Sequence, residues 1–255
     1  MTIDYDSLEE FRDPQTYDLE VEDYDEDRPL IEQWARSLGG PLLDIACGTG
    51  RTAMRMAVQG YQVTGVDIVP EMIAQARQKA AERAVSIEWV LADARTFRLQ
   101  KQFPFIYMLG NAFQFFLTRE DQEALLARVR EHVRPEGCFL FGTRNPSLRN
   151  LLEVLHPEGE KYTTSDGGQL VITEQQHYDP MTQIQHYTRH LKFLHPGGQH
   201  EEKTLRTALR YVFPQEMEAL LFYNGLQIRS CYGSWQQEPL TATSRAMIYV
   251  CQRRV

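Results

Sequence analysis

Hydrophobic and polar residues follow two alternating periods along the first part of the chain. Helical spacing of apolar positions predicts helices at 30–40, 51–60, 70–84 and 119–133. Apolar runs typical of buried strands begin at Leu42 and recur at 61–69, 85–93, 103–111 and 137–145. Because strands and helices alternate, the pattern predicts a parallel sheet with helices on both faces.

The pattern changes after residue 147. A short helix is predicted at 147–155, and three stretches of period-2 alternation follow at 169–179, 182–194 and 204–213, joined by the turn-forming segments DPMT and HPGGQHEE. A helix at 214–225 and strands at 226–235 and 244–254 then complete the chain. Three antiparallel strands inserted at this point predict a small sheet that caps a cleft.

These elements predict an α/β fold class. We expect a Rossmann-like, seven-stranded, mainly parallel sheet with helices on both faces and an inserted antiparallel β cap. The predicted division is an N-terminal acidic lid segment (1–29), a core (30–147 and 212–255) and a cap subdomain (148–211).

The charge distribution narrows the choice of partners. The 255 residues carry a formal net charge of −8, and acidic residues concentrate in the sequence DLEVEDYDEDRP at 18–29. Because nucleic-acid backbones require a basic surface, we expect no nucleic-acid partner. The acidic run is interpreted as a solvated face or lid. The alternative is a mobile segment whose Tyr17 and Tyr24 fold over a ligand.

The sequence disfavours both a membrane-spanning segment and a metal site. No apolar run approaches the roughly 20 residues that a membrane helix needs, and the N-terminus lacks the pattern of a signal peptide, so we expect a cytoplasmic protein without a membrane partner. The four cysteines lie far apart without a C-x-x-C pair, and no metal site is predicted.

The sequence LLDIACGTGR at 42–51 passes from a strand into a glycine-rich loop. Gly48, Gly50 and Ala53 fit G-x-G-x-x-G/A, a pattern that admits a dinucleotide or S-adenosylmethionine. A dinucleotide would place its anionic pyrophosphate at the following helix N-terminus, close to the carboxylate of Asp44. S-adenosylmethionine instead offers an ammonium group to that carboxylate. Asp44 therefore favours the cationic ligand.

Two more aspartates end the next two predicted strands. Asp67 suits the hydroxyls of a ribose, and Asp93 suits an adenine amino group. Each aspartate alone could form an Asx turn or a helix N-cap. Because ligands of open parallel sheets bind at the carboxyl ends of the strands, the three together predict a ligand site.

These motifs resemble the class I S-adenosylmethionine-dependent methyltransferases. LLDIACGTGR, GVDIVPEM, LADARTF and GNAFQFF carry the resemblance, which covers residues 30–144. The C-terminal part is similar to bacterial small-molecule methyltransferases, including amino-sugar N,N-dimethyltransferases. The resemblance implies a set of contacts to S-adenosylmethionine: Asp44, Ala46, Cys47, Gly48, Gly50 and Leu109 at the methionine end, Asp67 at the ribose, Ile68, Met72, Asp93 and Ala94 around the adenine, and Tyr17 and Tyr24 closing over the cofactor.

The predicted reaction is in-line transfer of a methyl group to N or O of a small-molecule acceptor. The protein's main task is to align the acceptor, so an obligatory base is not implied. Asn111 and Gln114, beyond the fourth strand, and His186 on an inserted strand are the catalytic candidates. His186 and His190 share one face of that strand and Tyr187 and Arg189 the other, and either pair could face the cleft.

Two other functions remain open from the sequence. The first is an NAD(P)-dependent oxidoreductase, which Asp44 disfavours. The second is a noncatalytic S-adenosylmethionine-binding protein. We expect a monomer or homodimer.

Overall fold

A computed structural model describes residues 5–147, 151 and 159–254, so most of the helix predicted at 147–155 lies outside the described residues. The described helices are α1 (Pro14–Val21), α2 (Arg28–Leu38), α3 (Arg51–Val58), α4 (Pro70–Glu82), α5 (Arg119–His132) and α6 (Pro214–Tyr223), with 3-10 turns at Glu9–Arg12 and Ala112–Phe115. The described strands are β1 (Leu42–Ile45), β2 (Val63–Asp67), β3 (Glu88–Leu91), β4 (Phe103–Met108), β5 (Val133–Arg144), β6 (Glu160–Thr163), β7 (Gln169–Asp179), β8 (Ile184–Leu194), β9 (His200–Arg210), β10 (Leu226–Tyr232) and β11 (Ala246–Arg253).

The larger sheet confirms the predicted fold class. It has seven strands in the order β10-β11-β5-β4-β1-β2-β3. Neighbouring strands from β3 to β5 run parallel, and β11 pairs antiparallel with both β5 and β10. The chain moves from β1 outward through β2 and β3 and then returns to place β4 on the other side of β1. A ligand cleft is expected at this reversal of strand order.

The core lies on both faces of the seven-stranded sheet. Leu42 on β1 is buried in one cluster with Leu30 and Ile31 of α2. Its neighbour Leu43 is buried in a second cluster with Leu125 of α5. Successive strand residues point to opposite faces, so a strand buried on both sides carries apolar residues at every position.

The second sheet is antiparallel and four-stranded, in the order β6-β7-β8-β9. β7 follows the predicted 169–179, whereas β9 begins four residues before the predicted 204. The short strand β6 was not predicted. It pairs with the first part of β7, from Glu160 opposite Ile172 to Thr163 opposite Gln169.

The N-terminal acidic segment is folded onto the rest of the protein, and Asp23, Asp25 and Glu26 within it are exposed to solvent. α1 begins where the Asp13 side chain accepts a hydrogen bond from the Thr16 backbone N–H and Pro14 occupies the first turn. None of the eight residues of α1 is fully buried. Basic residues hold the segment instead, through the pairs Lys79–Asp18 (3.0 Å), Lys79–Glu22 (2.5 Å), Arg83–Glu22 (2.8 Å), Arg51–Asp27 (2.5 Å), Arg189–Glu10 (2.7 Å) and Arg189–Glu20 (2.5 Å).

We expect Lys79→Met to loosen α1. The Lys79 side chain is 9% exposed and its ammonium also donates to Thr49, so its loss leaves Asp18 and Glu22 without their main partner. The free energy of unfolding should fall by about 1–3 kcal/mol. Lys101→Met is the matched control, because the Lys101 side chain in its pair with Glu88 is 40% exposed, and its loss should cost about 1 kcal/mol or less.

Urea unfolding measures both variants, and hydrogen exchange locates the change. Faster amide exchange in α1 is expected for Lys79→Met alone. Equal losses of stability in the two variants would show that the buried ammonium does not hold the segment.

None of the described helices is long and apolar enough to cross a membrane.

Candidate active site

A cavity of about 1210 Å³ lies at the carboxyl ends of β1, β4 and β5. Its walls come from the N-terminal segment, the loop after β1, the loop after β4 and the second sheet. Tyr17 and Tyr24 contribute from the first of these walls, and Leu109 and Asn111 from the loop after β4. The cavity therefore occupies the position where the strand order predicts a ligand.

The glycine-rich loop after β1 has an unusual backbone conformation. Ala46, Gly48 and Gly50 all have positive φ, of 57°, 56° and 82°. A Cβ atom built on Gly50 would lie 2.4 Å from the Trp89 ring, so glycine is required there by both conformation and space. The loop ends at Gly50, the N-cap of α3.

Asp44 is a buried carboxylate in the wall of this cavity. It is 3% exposed, and no cationic side chain of the described residues lies within 4.0 Å of it. Arg51 is close enough to act on it electrostatically, but the guanidinium of Arg51 pairs with Asp27. Burial raises the pKa of Asp44, an effect that Arg51 opposes. A cationic ligand group would compensate this charge, so Asp44 fits the ammonium of S-adenosylmethionine.

Asp67 connects the end of β2 to the glycine-rich loop. Its two carboxylate oxygens accept hydrogen bonds from the backbone N–H groups of Gly48 at 2.8 Å and Val69 at 2.9 Å. Burial raises the pKa of Asp67, and these hydrogen bonds oppose the rise. Asp67 thus positions the loop, a contact that its spacing in the sequence did not predict. Its predicted bond to a ribose remains a proposal.

Most of the other predicted cofactor residues either line the cavity or remain candidates for the adenine region. Tyr17, Tyr24, Ala46, Cys47 and Leu109 line the cavity. Ile68 is 43% exposed and Ala94 packs against the core, so both remain candidates for the adenine region.

Met72 and Asp93 lie in surroundings that differ from the prediction. Met72 is only 1% exposed and belongs to the buried core. The Asp93 carboxylate accepts hydrogen bonds from Arg95 at 2.6 and 3.0 Å, which lower the pKa of Asp93. Contacts of either side chain with an adenine would require these surroundings to change.

The three catalytic candidates are not brought together. Asn111 lines the cavity. Gln114 is buried, and its amide accepts from the Arg144 backbone N–H at 2.9 Å and donates to the Arg210 carbonyl at 3.2 Å. His186 is 2.7 Å from the Tyr5 hydroxyl and is not among the cavity-lining residues. The cavity-facing pair on β8 is instead Tyr187 and Arg189, and Gln114 and His186 are not among the residues that line the cavity.

Glu174 on β7 was missed by the sequence analysis. It lines the cavity and lies opposite Arg189 in the register of β7 and β8. The Arg189 guanidinium bonds Glu10 and Glu20 instead, and no hydrogen-bond or ion-pair partner of the Glu174 side chain occurs among the described residues. Burial raises the pKa of Glu174, and Arg144 and Arg189 oppose this effect. The site therefore contains an unpartnered carboxylate.

Comparison with known proteins finds a methyltransferase domain in the chain. Residues 42–137 match the model of a methyltransferase domain. The cypemycin N-terminal methyltransferase of Streptomyces sp. is 26% identical over 95% of this chain and 99% of its own length. The chain therefore contains a methyltransferase domain. Other curated relatives align with this chain over 45% and 41% of their own length, so the shared part there is about half of each protein.

Solved structures share the fold of this chain. An S-adenosylmethionine-dependent methyltransferase from Clostridium acetobutylicum ATCC 824 superposes with a TM-score of 0.80 at 16% identity, over 94% of this chain and 97% of the other. The amino pentose methyltransferase CalS10 from Micromonospora echinaspora, described with S-adenosylmethionine bound, gives 0.73 at 18% identity over 99% of both chains. The buried Asp44 fits the ammonium group of S-adenosylmethionine, the ligand with which CalS10 is described.

Proposed function

We propose that this methyltransferase transfers the methyl group of S-adenosylmethionine to the amine nitrogen of a small molecule bound in the cavity. The observation that carries the proposal is the Glu174 carboxylate, which faces the cavity without a partner. A carboxylate in this position attracts an ammonium group and can accept its proton. An amine attacks only as the free base, so a proton acceptor beside it is useful.

The cofactor side of the cavity has its own set of residues. Asp44 would bind the ammonium of S-adenosylmethionine, and the loop at 46–50 would pack along the methionine part. Asp67 keeps that loop in place through Gly48. The bound cofactor supplies a methyl group already activated on a sulfonium. The protein then needs to hold the acceptor nitrogen in line and exclude water, and such alignment can lower the barrier by about 7–11 kcal/mol.

The N-terminal segment would enclose the reactants. Tyr17 and Tyr24 line the cavity, and the segment is bonded both to the core, through Lys79, and to the second sheet, through Arg189. Burial raises the pKa of both tyrosines, so they remain neutral phenols at physiological pH. A neutral aromatic wall excludes water without repelling a cationic ligand.

Two of the similar proteins support an amine rather than a hydroxyl acceptor. One is named as an N-terminal methyltransferase and the other as an amino pentose methyltransferase. Both names refer to acceptors that contain an amine.

The test is an activity screen with S-adenosylmethionine and matched acceptors. Amines, alcohols and carboxylic acids of similar carbon skeleton are incubated with the protein, and mass spectrometry locates the added methyl group. We expect N-methylated products. O-methylation alone would overturn the proposal, and binding of S-adenosylhomocysteine without any methylated product would favour a noncatalytic binding protein. Tight binding of NADH in place of S-adenosylhomocysteine would support a dinucleotide enzyme.

A further inference from the structure

Arg144 stands at the carboxyl end of β5 in the wall of the cavity. Its guanidinium donates a hydrogen bond to the Tyr187 hydroxyl at 2.6 Å and lies over the same ring, 5.1 Å from its centroid. The Tyr187 and Tyr211 hydroxyls are 3.1 Å apart. The two tyrosines thus hold the guanidinium in one position without neutralising it, because burial raises the pKa of Tyr187 and keeps the phenol uncharged.

Two other arginines of the cavity wall, unlike Arg144, are paired with carboxylates. Arg51 bonds Asp27 with two nitrogens, and Arg189 bonds Glu10 and Glu20. In the part of the chain that the structure describes, no carboxylate lies within 4.0 Å of the Arg144 guanidinium. Arg144 is half-buried, and a partly desolvated charge without a counter-ion is costly, so a ligand anion is the natural partner of Arg144.

We infer that Arg144 binds a carboxylate of the acceptor, which makes the acceptor an amino acid or another small molecule that carries an amine and a carboxylate. This inference rests on the proposed function. Glu174 interacts with Arg144 electrostatically without an ion pair between them. An acceptor bound with its amine at Glu174 and its carboxylate at Arg144 satisfies both groups.

The charges around Arg144 favour a carboxylate over a phosphate. Glu160 and Glu174 line the same cavity as Arg144, together with Glu10 and Glu20, which pair with Arg189. A dianionic phosphate would be repelled by these side chains, whereas a single carboxylate matches the planar guanidinium in charge and geometry.

The test uses acceptors that differ only in the acidic group. Initial methylation rates are compared among free amino acids, their carboxamides, the decarboxylated amines and the matching aminoalkylphosphonates. For the best amino acid we expect kcat/KM to exceed that of its carboxamide by about 100-fold, the loss typical of leaving a buried charge unpaired. In Arg144→Gln the preference should disappear mainly through a higher KM, and Arg144→Lys should retain part of it.

Two controls separate folding from recognition. Arg206→Gln changes an exposed arginine on β9 and should behave as the unchanged protein. Affinity for S-adenosylhomocysteine should be equal in Arg144→Gln and the unchanged protein, which shows that the cofactor side is intact. Equal rates on amino acids, carboxamides and amines would overturn the inference and leave the proposed function standing. Preference for the phosphonates would also overturn it, and no methylation of any amine would overturn the proposed function together with it.

Discussion

Replacing Glu174 by glutamine lowers kcat for methylation of an amine by about 100-fold at pH 7, the lower end of the effect of general acid-base catalysis. Glutamine has nearly the same size and still fits opposite Arg189, but it cannot accept a proton and carries no charge to attract an ammonium. The cofactor side of the cavity is untouched, so affinity for S-adenosylhomocysteine is expected to stay unchanged.

The pH profile distinguishes this role from a structural one. Glu174 acts only as the ionised carboxylate, and burial raises its pKa above 4.5, so the activity of the unchanged protein falls as the pH decreases through that raised pKa. In Glu174→Gln the rate should instead follow the loss of the proton from the amine acceptor. The rate should therefore recover as the pH approaches the pKa of the amine.

The matched control is Glu202→Gln on β9, which removes an exposed carboxylate paired with Lys192 and should leave kcat unchanged. Steady-state rates are measured from about pH 4 to about pH 10, a range that spans the usual pKa values of carboxylic acids and amines. An unchanged kcat for Glu174→Gln across this range would exclude the carboxylate from catalysis.

The large sheet was predictable because its signals are local. Continuous apolar runs between helical stretches describe strands buried on both faces, and the two glycines after β1 mark the loop that needs positive φ. α1 also had a local signal, since Asp13 and Pro14 form a typical helix start. The acidic composition of the segment concealed it, because its basic partners, such as Lys79, lie far away in the chain.

The residues on the acceptor side of the cavity could not be predicted from local sequence signals. Alternation along β8 separates His186 from Tyr187, but it does not say which of the two faces the core, since that depends on how the second sheet packs. Glu174 was hidden for the same reason. Arg144 had a usable signal, because it ends β5 at the edge of the sheet where the three aspartates pointed to a ligand.

Asp44→Asn should change cofactor binding and stability in opposite directions. Loss of the carboxylate removes a charge-assisted hydrogen bond to the ammonium of the ligand, and calorimetry with S-adenosylhomocysteine should show affinity weakened by about 2 kcal/mol, roughly 30-fold. Without ligand, Asp44 is a buried charge that no cation of the described residues neutralises within 4.0 Å. The ligand-free variant should therefore unfold at a higher urea concentration, with a gain of about 1–2 kcal/mol.

The gain in stability depends on pH with a definite sign. Burial raises the pKa of Asp44 well above 3.8, so the folded state keeps the proton longer than the unfolded state, and stability is lost as the pH rises from 3.8 through the folded pKa. The asparagine variant lacks this loss, and its advantage should grow with pH over that window and then stay constant. Asp27→Asn is the control, since Asp27 is equally buried but paired with Arg51, and it should destabilise the protein. If both variants lose stability while binding is unchanged, Asp44 is a structural carboxylate and not the ligand's counter-ion.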